Sequence, residues 1–424
     1  MKVLVLVGSG IADRPLEELD GRTPLEVADI PGLNRLAANG HAGGWRSAPS
    51  EQIPGTGAAL CTFLGYKNRV SGGALEAAGV GIDLREDEVA FQANLVCLKP
   101  GATNVVMFDP IGCGVSDEEG AELAGYLEEH LAADPGEEIR LHPIGGHRAI
   151  LTYRKDGFRV PEEALAGFSP PHHIAWESIE GHLPPVEVAR RFVHIVNDSQ
   201  MILSLHPGLR KKLETTMFAA NSLWLWEGGQ KASLPPFSQT VGRGDVTLIA
   251  WNPVALGLGR LGGAEVIRPT GAGSARRNAM VESARQALKT SEFILLFADD
   301  AAGASERGDA AGKVAAIEAL DAEILVPLLE DPGGEGPCRI LFLSDHIAST
   351  ETRRGVLGPV PYAMADWEAG RLSPPAGRSG LAGLWGRIFG RNQSAATPSA
   401  FSERLCETSR PLSGKALLDR LLAA

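Results

Sequence analysis

The chain has little basic charge in excess, little sulfur and no long apolar run at its start. Forty Lys and Arg against 52 Asp and Glu leave a formal charge of −12, so a phosphate-coated polymer is repelled overall and a nucleic-acid partner is not expected. The five cysteines (Cys61, Cys97, Cys113, Cys338 and Cys406) form no CxxC or Cys/His cluster. An odd, scattered set of this kind excludes a disulfide framework and reads as reduced thiols of a cytoplasmic protein. The apolar run Val3 to Val7 is five residues long and ends at Gly8, too short for a membrane span or a signal-peptide core. Gly8-Ser9-Gly10 continues into neither GxGxxG nor GxxxxGK[ST], so it is no nucleotide loop. No internal repeat is visible.

What the sequence does hold is a sizeable core: 424 residues, 44% hydrophobic and 22% charged, enough for two to three units at roughly 150 residues each. The opening strand running into Gly8-Ser9-Gly10 has the form of a central parallel strand that delivers residues to a site at its carboxyl edge. Val246 to Ala250, Phe293 to Phe297 and Arg339 to Leu343 are similar runs, with helical patterns such as Gly312 to Leu329 between them, so a doubly wound, mostly parallel sheet is expected. The middle of the chain differs. Asn104 to Phe108, Glu137 to His142 and His147 to Tyr153 read as short strands around one acidic helix, Asp117 to Ala132. This predicts an inserted smaller α+β domain over 86–199, with the larger domain built from 1–85 and 200–424.

Gly370 to Pro398 is dense in Gly, Pro, Ser, Ala and Arg and reads as a linker or surface insertion. Within it Leu381, Leu384, Trp385, Ile388 and Phe389 follow helical spacing beside Arg378, Arg387 and Arg391. A short amphipathic basic helix there would suit a groove on a protein partner or a peripheral membrane contact through 378–391. A stretch packing back on its own domain is the alternative.

Several collinear segments carry a resemblance: Asp13-Arg14-Pro15, Gly21 to Glu26, Ile53-Pro54-Gly55-Thr56, Phe63 to Tyr66, Ala74 to Ala77, Asp87 to Phe91 with Asn94, Gly146 to Ala149, Ala220 to Leu223, Gly312-Lys313-Val314, Asp345-His346, Phe401-Ser402-Glu403 and the final Gly414 to Leu422 helix. Together they resemble the archaeal-type cofactor-independent (2,3-bisphosphoglycerate-independent) phosphoglycerate mutases of the alkaline phosphatase superfamily. The resemblance implies an alkaline-phosphatase-like α/β fold. It also implies a hydroxyl nucleophile, at Thr56 here, and two divalent metals, usually manganese or zinc, which lower the nucleophile's pKa and stabilise charge on the transferred phosphoryl group.

The chain departs from that pattern where the charge should be. The family's aspartate-glycine pair after the first strand is Ser9-Gly10, and the acidic residue after the nucleophile is Gly57. Alignment through Gly308-Asp309 and Gly312-Lys313 puts Ala302 and Glu306 at an aspartate and a histidine position, and Gly355 at the last histidine. Asp345 and His346 are the surviving ligand types. They read either as a weak mononuclear metal site or as a helix cap beside a histidine hydrogen-bonded within the fold. Asp299, Asp300, Glu306 and Asp309 could offer hard oxygen ligands to magnesium or calcium, or form a solvated loop. His172-His173, taken as an extended pair, would point to opposite faces.

The substrate clamps are depleted as well: Gln92, Pro110, Ile111, Gly114 and Trp226 stand where the family has arginines, and Ile174 to Ser178 replaces an Asp-x-Asp-Pro-His run. His147, Arg148 and Arg210 remain as a candidate anion site. The resulting expectation is a catalytically degenerate homologue with no cofactor, a binding, scaffolding or regulatory protein whose partner is an unidentified protein or a small phosphorylated metabolite. The alternative is an active mutase or phosphohydrolase using Thr56 with manganese, zinc or magnesium.

Overall fold

The computed structural model describes the chain apart from residues 49–54, 67–69, 102–103, 376–399, 409 and 424. The apolar stripe Leu381, Leu384, Trp385, Ile388 and Phe389 lies outside the described residues, as do Ile53 and Pro54. The chain forms two units, one of Met1–Arg69 with Leu234–Ala424 and one of Val70–Ser233.

In the larger unit the described strands form a mixed, mostly parallel sheet. From edge to edge its order is Leu412–Ser413, His41–Arg46, Val360–Glu368, Cys338–Ser344, Lys2–Gly8, Phe293–Ala298, Val246–Ala250 and Glu265–Ile267, with Arg371–Ser373 paired to Val360–Glu368. Lys2–Gly8 is parallel to both of its neighbours, while Val360–Glu368 is antiparallel to both Cys338–Ser344 and His41–Arg46. Helices cover both faces of the central strands, so Val3 to Val7 are almost wholly buried. That is why the strand reads as a continuous apolar run rather than as an alternation. Each such Val or Leu stabilises the fold by about 1.5–3 kcal/mol relative to exposure. The helical pattern Gly312 to Leu329 is realised as Ala310–Leu320, a π-turn at Asp321–Leu325 and a further turn at Val326–Glu330. Buried Asp321 accounts for the irregular turn's usefulness, accepting hydrogen bonds from the first amides of helix Pro31–Ala38, Gly32 N at 2.8 Å and Leu33 N at 2.7 Å.

The smaller unit is organised by one long strand, Glu88–Pro100, paired antiparallel to Val105–Asp109, Arg148–Lys155 and Ser222–Gln230, with Glu137–Gly145 beyond Arg148–Lys155. The acidic helix is Asp117–His130. The unit's limits differ from the expected 86 and 199, because helix Gly72–Val80 and strand Ser222–Gln230 both pack on the long strand. Residues 70–85 and 200–233 therefore belong to the smaller unit. Among the described residues no helix is long and apolar enough to cross a membrane.

Candidate functional site

Strand register builds the site. Gly8 stands level with Ala298 on one neighbouring strand and with Ser344 on the other, so Ser9, Asp299 and Asp345 leave the sheet together at its carboxyl edge, where α/β sheets gather ligands. Ser9 and Asp345 are fully buried. The Ser9 hydroxyl donates to Asp345 Oδ2 at 2.7 Å, and Gly10 N donates to Oδ1 at 2.9 Å. His346 Nδ1 lies 2.8 Å from the same Oδ1. Asp345 is no helix cap: the chain enters the short strand Ile347–Ser349 directly after His346. Burial opposes charge on both partners, yet His346 and the two donors hold Asp345 below the usual carboxylate range. Against the same burial, Asp345 raises the proton affinity of His346 above that of an ordinary imidazole.

A divalent metal does not fit the groups gathered here. Ser9 offers a neutral hydroxyl that donates its proton to Asp345, and both oxygens of that carboxylate are engaged. At Gly10, where φ is +65°, an added Cβ would lie 2.9 Å from Ala302 Cα and Cβ, so the loop closes on alanine where a ligand side chain would be needed. Gly355 stands opposite Ala348 in a two-stranded ribbon and contributes no side chain. Glu306 is exposed on helix Asp300–Arg307, near enough to His346 to favour its charged form. Its acidic neighbours serve elsewhere: Asp299 Oδ2 accepts from Asn252 Nδ2 at 2.6 Å, Asp300 pairs with Arg277 at 3.1 Å, and Asp309 caps helix Ala310–Leu320 through Gly312 N at 2.8 Å. Among the described residues no three His, Cys, Asp or Glu side chains gather to hold a metal ion.

Beside this edge lies a network that composition and spacing did not single out. Lys313 and Asp13 form a fully buried ion pair at 2.8 Å. The Lys313 ammonium also donates to the Ala12 carbonyl at 3.2 Å and the Ala348 carbonyl at 2.7 Å, so its three protons are all used. Asp13 Oδ2 accepts from the Thr350 hydroxyl at 2.6 Å, and Asp13 N donates to Glu403 Oε1 at 3.0 Å. Glu403 Oε2 in turn accepts from the Thr23 hydroxyl at 2.8 Å. Burial pushes the Glu403 carboxyl up, with those donors working against it. Four segments distant in sequence are thus tied behind the Ser9 and Asp345 loops. The only sequence signal was the resemblance of Asp13, Lys313 and Glu403 to family positions.

Thr56 begins helix Thr56–Phe63, half-buried, with Gly55 as the residue before the helix and no side-chain cap. In the smaller unit Arg148 pairs with buried Glu76, whereas the Arg210 guanidinium donates from Nε to the Ser204 carbonyl at 2.9 Å. His147 contributes its carbonyl to Leu95 N at 2.7 Å. The anion-site candidates are thus held by different partners. Trp226 donates from Nε1 to Asn94 Oδ1 at 3.1 Å and stacks edge-on to His172 with centroids 5.3 Å apart. His172 and His173 are not extended: they sit in a single 3-10 turn, Pro171–His173, with rings 4.5 Å apart.

Residues 37–208 match the family model described as 2,3-bisphosphoglycerate-independent phosphoglycerate mutase. The chain is 32% identical over 385 residues to a probable 2,3-bisphosphoglycerate-independent phosphoglycerate mutase of Geobacter sulfurreducens, covering 89% of this chain and 94% of that protein. It is 34% identical to the enzyme of that name from Methanothrix thermoacetophila, covering 86% and 91%. Among solved structures, a Pyrococcus horikoshii protein superposes with a TM-score of 0.68 at 21% identity over 99% of this chain and 97% of that one. The cofactor-independent phosphoglycerate mutase from Thermoplasma acidophilum gives 0.52 at 21% identity over 100% and 99%. These two likenesses concern the fold.

Proposed function

Since the chain belongs to the 2,3-bisphosphoglycerate-independent phosphoglycerate mutase family, we propose that it is a catalytically degenerate member acting as a binding or regulatory protein. The observation that carries this reading is the Ser9 hydroxyl donating to Asp345 Oδ2 at 2.7 Å, with Ala302 pressed against Gly10. A neutral donor and an alanine replace charge where phosphoryl transfer needs it, and a metal contributes several kcal/mol of transition-state stabilisation that these residues do not supply. On this reading the site takes no divalent metal. The ligand is a protein or a small phosphorylated metabolite, met in the cytoplasm. A threonine hydroxyl such as that of Thr56 is a weak nucleophile unless a metal or a base activates it.

One observation favours the competing reading, an active mutase or phosphohydrolase with a rebuilt site: Glu306 lies in electrostatic range of His346. A single assay separates the two. Purified protein, offered 3-phosphoglycerate with manganese, zinc, cobalt or magnesium in turn, should form no 2-phosphoglycerate above the rate of Thr56→Ala, and elemental analysis should find no stoichiometric metal. Robust turnover that disappears in Thr56→Ala would overturn the degenerate reading.

A further inference from the structure

The larger unit holds a cavity of about 440 Å³ between the helical turn Pro24–Val27, the start of helix Pro31–Ala38 and residues 400–408. None of Ser9, Thr56, Asp345 and His346 lines it. The volume is that of a small-molecule pocket, roughly 300–1,000 Å³. Its floor is apolar, formed by the almost wholly buried Leu25, Ile30, Phe401 and Leu405. Two segments far apart in sequence are fixed there by local chemistry: Thr23 and Glu26 close a reciprocal capping box, and Asn34 Oδ1 accepts from Phe401 N at 2.8 Å.

The polar groups of the lining are arranged for an anion. Ser402 is only 7% exposed, yet its hydroxyl has no hydrogen-bond partner among the described residues, and a buried hydroxyl left in that condition is unfavourable until a ligand or water bonds to it. Asn34 spends its carbonyl oxygen on Phe401 and keeps its Nδ2 amide as a donor. The Glu26 carboxylate has both oxygens engaged, one by Arg404 Nε at 2.6 Å and the other by Thr23 N at 3.2 Å. Arg22 is exposed, and its guanidinium has no carboxylate partner among the described residues. Two guanidiniums against one carboxylate leave the lining with one net positive charge, in a chain whose total is −12. We infer that this cavity binds a small organic monoanion, its apolar body on the floor and its carboxylate between Arg22 and Arg404. Guanidiniums present paired N–H donors that match a carboxylate, while Ser402 and Asn34 offer further donors. A phosphate ester carries about two charges and would leave one uncompensated beside Glu26. An uncharged molecule would leave Arg22 unused.

The test titrates octanoate into the full-length protein by isothermal calorimetry, beside octanamide, the same body without the charge. Octanoate should bind saturably at one site and more tightly than octanamide by about tenfold or more, the factor that one charge-assisted contact carries. On binding, hydrogen exchange should slow in segments 22–34 and 400–408. Arg22→Gln, at an exposed position, should shrink the octanoate advantage and leave octanamide unchanged. Ala28→Phe should fill the cavity from its half-buried wall and abolish binding of both. Any of four results would overturn the inference: no saturable octanoate binding, equal binding of octanoate and octanamide, protection confined to other segments, or native affinity for octanoate in either variant. Should Ala28→Phe fail to fold, Arg22→Gln and the exchange map decide. The test is independent of whether the protein has mutase activity.

Discussion

Replacing Lys313 by methionine probes the network behind the site most directly. The substitution keeps an unbranched chain of similar volume while removing the ammonium. Three contacts vanish, to Asp13 Oδ2 at 2.8 Å, the Ala348 carbonyl at 2.7 Å and the Ala12 carbonyl at 3.2 Å. Asp13 keeps the Thr350 hydroxyl, the Thr350 amide and the Arg14 amide as donors, so its charge is not left bare. Two buried carbonyls lose a partner, each costing about 1–3 kcal/mol, and breaking a buried pair on one side costs about 3–5 kcal/mol in all. The expected loss is therefore about 3–5 kcal/mol in the larger unit. A two-unit chain need not unfold in one step, so the assay is native-state hydrogen exchange of the amides in strand Lys2–Gly8, which reports opening of the unit that contains the pair. Asp13→Asn combined with Lys313→Met should cost less than the sum of the two single changes, by at least about 1 kcal/mol. A Lys313→Met loss below about 1 kcal/mol, or strict additivity with Asp13→Asn, would refute the reasoning, because it would mean that the pair's desolvation cancels its attraction.

Three further outcomes follow from the geometry. The Asp321 carboxyl is raised by burial to about 6. Its contribution is thus fully present well below pH 4 and is lost as the pH rises through 6, so the stability of the native chain relative to Asp321→Asn should fall by about 2 kcal/mol between pH 4 and 7 in parallel urea titrations. Gly10→Ala meets Ala302 backbone at 2.9 Å in a left-handed conformation, whereas Gly21, at φ +73°, has nothing within 4 Å of an added Cβ; the first should cost more than about 2 kcal/mol and the second about 1 kcal/mol, read as shifts of the thermal midpoint. Thr23→Ala removes both the capping bond to Glu26 N at 3.1 Å and the donor to Glu403, a loss of about 2–3 kcal/mol that Thr23→Ser should largely restore.

The parallel sheet was legible because strands buried on both faces read as unbroken apolar runs, and Lys2–Gly8, Phe293–Ala298 and Cys338–Ser344 all do. The limits of the smaller unit were not, because Ser222–Gln230 reaches Glu88–Pro100 only through a pairing 130 residues away, which no local pattern announces. At the site, the neutral residues Ser9 and Ala302 could be seen in the sequence. Which partner each remaining acid had found could not: Asn252 takes Asp299 and Arg277 takes Asp300 from helices whose approach depends on the whole sheet. Of the two alternatives for Asp345, the helix cap failed for a similar reason. Its acceptors answer donors 336 residues away, and side-chain hydrogen bonds across such distances leave no periodicity to read. The histidine pair failed on a local assumption, since Pro171 opens a tight turn where an extended segment was supposed.

The placement of Lys2–Gly8 at the middle of its sheet also sets an order of events at the ribosome. Both strands that flank it, Phe293–Ala298 and Cys338–Ser344, are made hundreds of residues later. The smaller unit, by contrast, is one uninterrupted stretch, Val70–Ser233, with its own buried cluster, and can complete its core while the nascent chain is still growing. The first strand must therefore wait, apolar and unpaired, through most of synthesis, the condition in which strand edges attract other chains. A chaperone that shields the amino-terminal segment should accordingly raise the yield of folded protein more than one acting on the inserted unit, and a pulse-labelled nascent chain stalled once Ser233 has cleared the ribosome, but before Phe293 is made, should already protect the smaller unit from protease while leaving Lys2–Gly8 open to it.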